Sequence, residues 1–217
     1  MGRYRAAQDF ISARLPIAAV ASIPEIRLHM AGPQSGLSRL AEKDPGFGSP
    51  YWARCWGGGL ALGRYILDNP ESVAGRRVLD LGAGSGIVGI AAAKAGATDV
   101  IAADIDLYAV AAMTLNATIN GVTLLPRIED LTEGEPPPVD IVCVGDLFYD
   151  PALAARVTAF LDRCMDRGMV VLIGDPWRAY LPSSRLKLLT EYPVSDFGDA
   201  IGGTRPSAVF ALKAAIR

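Results

Sequence analysis

The feature that most constrains the fold is a short apolar segment that runs directly into alternating glycines. Residues 78–86 read VLDLGAGSG, and the Ala-rich segment 87–95 that follows is typical of a helix. The glycines Gly82, Gly84 and Gly86 allow a sharp turn and let a ligand approach the main chain closely. A strand, a glycine turn and a helix in this order predict an α/β fold with an adenosine-containing ligand at the turn.

Alternating strands and helices continue along the rest of the chain. We predict strands at 77–81, 99–103, 125–128, 139–144 and 169–173, helices at 51–68, 87–95, 106–120 and 151–167, and two closing strands at 185–192 and 208–212. Strands that alternate with helices form a mostly parallel sheet covered on both faces. In such a sheet a ligand binds outside the carboxyl ends of the strands.

The beginning of the chain does not follow this alternation. A segment rich in Gly, Pro and Ser at 31–50 separates an N-terminal extension, 1–49, from a main domain, 50–217. Within the extension, residues 25–30 alternate polar and apolar, which predicts a half-buried strand. The first residues mix charged and apolar side chains at helical spacing, which favours a surface helix over a secretory signal.

Composition and charge limit the classes of function. The 217 residues carry a formal net charge of −2, so no overall basic field draws in DNA. The three cysteines lie far apart without a CxxC pair, which argues against a disulfide framework and a metal site. No apolar run is long enough to cross a membrane. We therefore expect a cytoplasmic protein, a monomer, with no metal, DNA or membrane partner.

The glycine turn by itself leaves the ligand open. Residues 84–89, GSGIVG, also satisfy the GxGxxG pattern of nicotinamide dinucleotide proteins. Asp80 lies on the strand two positions before Gly82, where a carboxylate can hold the ammonium of an amino-acid moiety, directly or through water. The dinucleotide alignment would instead begin at Gly84, two residues beyond the strand. These two features favour S-adenosylmethionine, with a nicotinamide oxidoreductase as the remaining rival.

Acidic residues also follow the next two predicted strands. Asp104 follows the second strand and caps no obvious helix, so we predict that it accepts hydrogen bonds from the two ribose hydroxyls. Its neighbour Ile105 is included in the predicted cofactor site. Glu129 and Asp130 follow the third strand, where a carboxylate such as Asp130 can accept from the adenine amino group. A solvated turn explains this pair equally well.

A second constellation ends the fourth strand, where residues 145–150 read GDLFYD. Amine methyltransferases often place an Asp/Asn-x-x-Tyr/Phe motif here, so we predict Asp146 and Tyr149 as catalytic residues, with Asp146 also close to the cofactor. Asp146 would accept a hydrogen bond from the attacking amine, while Tyr149 and Phe148 wall its aliphatic stem. The alternative makes both aromatic residues part of the core and Asp146 the cap of a helix near Pro151, but an Asp several residues upstream is a poor cap.

These segments together resemble the seven-strand methyltransferases and, within them, the electron-transfer flavoprotein beta-subunit lysine methyltransferases. The resemblance rests on PYWARCWGGGLALGRYILDNP (50–70), VLDLGAGSG (78–86), AADID (102–106), TLNATINGV (114–122), VGDLFYD (144–150) and LIGDPWR (172–178). It implies a Rossmann-like seven-strand sheet that is mostly parallel with an antiparallel last strand. It also implies S-adenosylmethionine as methyl donor, S-adenosylhomocysteine as product, and Trp56 packed near the cofactor.

The resemblance further implies a protein substrate. We expect lysines of the electron-transfer flavoprotein beta subunit, with a ribosomal protein as the alternative, because the same core serves both classes. A non-catalytic cofactor-binding scaffold is the alternative of another class, and the intact Asp146 and Tyr149 argue against it. One departure is that the family commonly reads IDP where this chain reads IDL at 105–107, which loses helix-start rigidity but no chemical group. Residues 175–178 are expected to border the substrate mouth.

Overall fold

Nine strands and six helices make up the structure, a computed structural model that describes residues 2–195 and 203–214. The strands are β1 (Ile17–Val20), β2 (Ile23–His29), β3 (Arg77–Leu81), β4 (Asp99–Asp104), β5 (Leu125–Ile128), β6 (Ile141–Gly145), β7 (Val170–Asp175), β8 (Leu186–Val194) and β9 (Arg205–Leu212). The helices are α1 (Gly2–Arg14), α2 (Leu37–Lys43), α3 (Gly57–Asp68), α4 (Ile87–Lys94), α5 (Leu107–Ile119) and α6 (Pro151–Asp166).

Seven of the strands form one sheet in the order β5-β4-β3-β6-β7-β9-β8. The first five strands in this order pair in parallel with their neighbours. Strand β9, the last of the described strands along the chain, runs antiparallel to both β7 and β8. This confirms the predicted seven-strand sheet with its antiparallel last strand. The strand order reverses between β3 and β6, so the carboxyl ends of these two strands flank the crevice where ligands bind in such folds.

Both faces of the sheet are covered, because its central strands are apolar at successive positions. Val78 of β3 packs into one cluster with α3, α4 and α5, whereas its neighbour Leu79 packs into a second cluster with α6. Successive side chains of a strand point to opposite faces. A strand that is buried on both sides therefore reads as the continuous apolar run seen in the sequence.

The N-terminal segment packs onto this sheet domain. Strands β1 and β2 form a separate antiparallel hairpin, whose Ile23, Ile26 and Leu28 lie in the same cluster as α3 and α4. Helix α1 packs against α5. Residues 31–50, predicted as a break without regular structure, contain the short helix α2.

Two further findings concern the predicted elements. The single helix predicted at 51–68 is wrong: residues 51–53 form one 3-10 turn, and α3 begins only at Gly57. The predicted domains 1–49 and 50–217 include residues 1, 196–202 and 215–217, which lie outside the described residues. In the part of the chain that the structure describes, no helix is long and apolar enough to cross a membrane.

Candidate active site

The glycine turn that follows β3 is built from left-handed backbone. Gly82, Gly84 and Gly86 have φ values of 67°, 52° and 81°, a region that only glycine adopts routinely. A side chain at Gly82 would also meet Leu147, whose Cδ2 would lie 2.6 Å from the added carbon. At Gly84 an added carbon would make only ordinary van der Waals contact, with Trp52 Cα the nearest atom at 3.8 Å. The binding of a ligand at this turn stays a prediction.

Asp80 lies beneath this turn, with 2% of its surface exposed. Its Oδ2 accepts a hydrogen bond from the Gly89 backbone N–H at 2.8 Å. Burial raises the pKa of Asp80 to about 7, and the nearby Asp104 carboxylate adds to the rise. Gly89 itself packs closely, since an added Cβ would lie 3.2 Å from Asp80 Oδ2. This supports helix–strand packing, and not a dinucleotide fingerprint, as the reason for Gly89.

Asp104 ends β4 directly beside the glycine turn. Its Oδ2 accepts from the Gly84 backbone N–H at 2.9 Å, and its Oδ1 accepts from the Asp106 N–H at 3.0 Å. Burial raises the pKa of Asp104 above its ordinary value. The next residue, Ile105, is 71% exposed and gives the end of β4 an apolar surface. Asp106 caps α5 by accepting from the Tyr108 N–H at 2.8 Å, which confirms the predicted cap.

Asp130, the predicted adenine contact, is engaged by other parts of the chain. It begins a 3-10 turn, where it accepts from the Thr132 N–H at 3.0 Å, and it pairs with Arg156 at 3.0 Å. Burial raises its pKa, but the hydrogen bonds from Thr132 and the charge of Arg156 outweigh burial and leave the pKa lowered. The turn explains Asp130 by itself, so its contact with adenine stays a prediction.

Asp146 lies at the carboxyl end of β6 and is nearly buried. Its φ of 59° is left-handed, which is uncommon for a residue other than glycine. Its Oδ2 accepts from the Gly59 backbone N–H at 2.8 Å. Its Oδ1 accepts from Arg178, at 2.7 Å from Nη2 and 3.3 Å from Nε. The carboxylate is thus held from two sides, by the start of α3 and by the segment after β7.

The glycine run at the start of α3 makes this contact possible. A Cβ at Gly58 would lie 2.7 Å from Asp146 Oδ2 and would collide with the Gly174 carbonyl of β7. Glycine therefore lets α3 rest directly on the sheet and place the Gly59 backbone N–H at the carboxylate. Helix N-termini favour negative charge at such positions.

Aromatic side chains stand around the same strand end. Tyr149 is 48% exposed, and its ring centroid lies 6.0 Å from that of Tyr51, which packs edge-on against Trp56 at 5.6 Å. Trp56 Nε1 donates to the Tyr51 carbonyl at 2.8 Å. Burial raises the pKa of Tyr149, and the nearby Tyr51 and Asp104 add to the rise. The predicted cofactor acid and the predicted catalytic tyrosine are therefore close to each other.

The alternative interpretation of this segment is half correct. Phe148 is fully buried in the core and does not wall an open slot. Tyr149 is not a core residue, and the cap of α6 is Asp150, whose Oδ1 accepts from the Leu153 N–H at 2.9 Å. Asp146 therefore does not cap α6, as its distance from Pro151 in the sequence suggests.

The segment after β7 contributes the partner of Asp146 that the sequence did not reveal. Asp175 is completely buried, and its Oδ1 accepts from the Arg178 N–H at 2.6 Å. The backbone of Trp177 is in the left-handed region, with φ of 64°, and its Nε1 donates to Glu191 Oε1 at 2.8 Å. The motif GDPWR was expected to border the substrate mouth, but nothing in its spacing relates Arg178 to Asp146, 32 residues away.

Solved structures with a similar fold define the class of protein. The 16S rRNA N2 G1207 methyltransferase (RsmC) of T. Thermophilus, in complex with AdoMet and guanosine, superposes with a TM-score of 0.61 and 22% identity over 92% of this chain and 50% of that chain. The ribosomal protein L11 methylase of Lactobacillus delbrueckii subsp. bulgaricus superposes with a TM-score of 0.52 and 20% identity over 71% of this chain and 77% of that chain. The fold is that of the class I methyltransferases.

Sequence relatives define the family within this class. The electron transfer flavoprotein beta subunit lysine methyltransferase of Xenopus laevis is 42% identical over 80% of this chain and 73% of its own length. The protein of the same name from Danio rerio is 43% identical over 76% of this chain and 64% of its own length. The chain belongs to the electron transfer flavoprotein beta subunit lysine methyltransferase family, although it spans just under two thirds of the Danio rerio relative. The profile of the ribosomal protein L11 methyltransferase (PrmA) family also matches, at residues 64–147.

Proposed function

We propose that this protein transfers methyl groups from S-adenosylmethionine to lysine side chains of the electron-transfer flavoprotein beta subunit. The observation that carries the proposal is the Asp146 carboxylate, held at the end of β6 beside the exposed Tyr149, in a chain of this family. The family relatives are named for this substrate, which supports the choice of acceptor.

The residues around the glycine turn fit the proposed methyl donor. An added carbon at Gly84 would meet nothing closer than Trp52 Cα at 3.8 Å, and the Asp104 carboxylate beside it is suited to two ribose hydroxyls. Ile105 and Trp56 offer apolar surface for the remaining parts of the cofactor, and Asp130 is the proposed adenine contact. Asp80 lies beneath the turn, where its carboxylate would hold the methionine ammonium directly or through water. S-adenosylmethionine supplies a methyl carbon bound to a positively charged sulfur.

The chain's own residues would orient the acceptor. A lysine amine has an ordinary pKa of about 10.4 and must lose a proton to solvent before it attacks. Its lone pair then forms the N–C bond as the C–S bond breaks, and the electron pair stays on sulfur as the neutral thioether of S-adenosylhomocysteine. Asp146 would accept a hydrogen bond from this amine and Tyr149 would flank its aliphatic stem, so positioning supplies much of the rate.

We also propose that the protein acts in the cytoplasm as a monomer. All three cysteines, Cys55, Cys143 and Cys164, are free thiols, which supports a reducing compartment. Cell fractionation and light scattering test the two statements separately.

A ribosomal protein is the second candidate acceptor, because the ribosomal protein L11 methyltransferase profile matches residues 64–147. The test supplies labelled S-adenosylmethionine and the purified protein to equal amounts of flavoprotein and ribosomal protein L11. Label on lysines of the flavoprotein beta subunit supports the proposal. Label on L11 alone selects the second candidate, and label on neither protein rejects both.

A further inference from the structure

Arg178 occupies the position next to Asp146 that the proposed acceptor amine must approach. Its guanidinium contacts Asp146 Oδ1 through both Nη2 and Nε, and its side chain is 24% exposed against 10% for Asp146. The charge of Arg178 also acts on the hydroxyl of Tyr149, the residue proposed to flank the lysine stem. Arg178 therefore lies among the same groups as the proposed slot, at its partly open side.

The turn that carries Arg178 is held firmly in place. Asp175 has no exposed surface, and its Oδ1 holds the Arg178 backbone N–H at 2.6 Å. Trp177, immediately before Arg178, is held by Glu191 and packs edge-on against Phe210, with ring centroids 4.9 Å apart. A left-handed backbone at tryptophan costs free energy, and it persists only where the surroundings over-determine it. These contacts hold the turn in the conformation in which the Arg178 guanidinium donates to Asp146.

A nearly buried carboxylate without a counter-charge would hinder methylation. Such a group stabilises a neighbouring ammonium, because opposite charges within a few ångströms favour the charged form of both. An ammonium ion has no lone pair with which to attack the methyl carbon. We propose that Arg178 is a positioning residue that neutralises Asp146, so that Asp146 orients the acceptor lysine as a neutral amine instead of trapping it as an ammonium ion. This inference rests on the proposed function and deepens it.

The other charged and titratable groups near this pair do not replace Arg178. Helix α3 contributes the Gly59 backbone N–H, an uncharged donor, to Asp146. In the part of the chain that the structure describes, Asp175 interacts electrostatically with Asp146 and Arg178, and Tyr51, Asp104 and Asp150 interact with Tyr149. Apart from Arg178, all of these side chains are acids, and Glu191 lies beyond Trp177. Within this group Arg178 is the cation that acts on both Asp146 and Tyr149.

The experiment compares the pH dependence of kcat/KM for Arg178→Met and Arg178→Lys with that of the unchanged protein. The acceptor is the purified flavoprotein beta subunit and the donor is labelled S-adenosylmethionine. For the unchanged protein kcat/KM rises with pH as the acceptor amine loses its proton. We expect Arg178→Met to shift this rise to a pH that is higher by about one unit. At a pH below the rise, kcat/KM is then about tenfold lower than in the unchanged protein. Arg178→Lys keeps the charge and should restore the position of the rise.

Each result decides the inference. Superimposed profiles for all three proteins, with only the height changed, would overturn it, since a purely structural role alters the amount of active enzyme and not the pH at which it works. If Arg178→Met no longer binds S-adenosylhomocysteine, the comparison of Arg178→Lys with the unchanged protein decides instead. A rise of kcat/KM at a different pH in Arg178→Lys overturns the inference. An unchanged protein that methylates no lysine at any pH contradicts the proposed function instead, and the inference falls with it.

Discussion

At the scale of single residues, three aspartates lie at or near the carboxyl ends of three neighbouring strands and differ in environment. Asp80 on β3 is sealed beneath the glycine turn, Asp104 on β4 ties that turn to the next strand, and Asp146 after β6 is paired with Arg178. The same side chain therefore has three different proposed tasks, which follow from burial and partners and not from residue type.

Replacing Asp104 tests the proposed ribose contact. Asp104→Ala should weaken the binding of S-adenosylhomocysteine by about 1.5–3 kcal/mol, because hydrogen bonds to a charged group are lost. Isothermal calorimetry measures the change directly. Asp99→Ala is the matched control, since Asp99 is exposed at the opposite end of the same strand. Equal affinities for Asp104→Ala and the control would show that Asp104 does not touch the cofactor.

The buried Asp80 predicts a pH-dependent stability in the absence of cofactor. Burial raises its pKa to about 7, whereas an unfolded aspartate titrates at about 3.9. Between these two pKa values the folded protein keeps a proton that the unfolded chain releases. The contribution of Asp80 to stability is therefore fully present below about pH 4 and is lost as pH rises to about 7. Asp80→Asn stays neutral and should become more stable relative to the unchanged protein over this window, by at most about 4 kcal/mol.

Urea unfolding of both proteins at the two ends of this pH window measures the effect of Asp80→Asn. Other buried acids, such as Asp175 with its pKa raised by burial to about 6, are present in both proteins and cancel in the comparison. A difference in free energy of unfolding that does not change with pH would mean that Asp80 is not neutral in the folded protein.

The positions of the three aspartates were predictable because each lies close to the carboxyl end of a recognisable strand. What the sequence did not reveal was which groups they meet. The Arg178 partner of Asp146 and the Gly59 N–H that donates to it come from segments distant in the chain. Local spacing carries no information on such contacts, since they depend on how α3 and β7 pack together.

At the scale of elements, α3 shows why local propensity misleads. Gly57, Gly58 and Gly59 weaken a helix intrinsically, so the sequence predicts one long helix with a poor middle. In the structure they form the first turn of a shorter helix, where the missing side chains allow close contact with β7. Tertiary packing, and not propensity, sets where this helix begins.

Adjacent glycines in α3 provide a matched test of that packing. Gly58→Ala places a carbon 2.7 Å from Asp146 Oδ2 and against the Gly174 carbonyl, so the helix must shift. We expect a loss of about 1–3 kcal/mol in stability, as for overpacked cores, together with loss of methyl transfer. Gly59→Ala meets only Ile87 Cγ2 at 3.5 Å and should be tolerated. Thermal unfolding that affects both variants equally would contradict the proposed contact.

At the scale of the whole molecule, the extension and the sheet domain share one core. The sequence break at 31–50 predicts a boundary, but Ile23, Ile26 and Leu28 are fully buried in the cluster that also contains α3 and α4. The periodicity of the main domain predicted its seven strands well. It did not predict that the hairpin would pack onto them, because an alternating strand does not reveal which surface it covers.

Removing the extension tests this shared core. A protein that lacks residues 1–49 exposes the apolar side chains under the hairpin, and each large buried side chain that is lost costs about 2–5 kcal/mol. Since a domain is stable by only about 5–15 kcal/mol, we expect no cooperative unfolding transition in calorimetry. A sharp transition at the temperature of the full chain would instead show that 50–217 is an independent domain.

The central claim, that Asp146 and Tyr149 present a lysine of the flavoprotein to the methyl donor, is tested most directly by mass spectrometry of the acceptor. The flavoprotein beta subunit is incubated with S-adenosylmethionine and either the unchanged protein or Asp146→Asn, and its peptides are then mapped. We predict methyl groups on lysine side chains alone, formed at least about tenfold more slowly with Asp146→Asn, a difference of about 1.4 kcal/mol in the barrier. Unmodified lysines with the unchanged protein, or equal rates with the two proteins, would contradict the account.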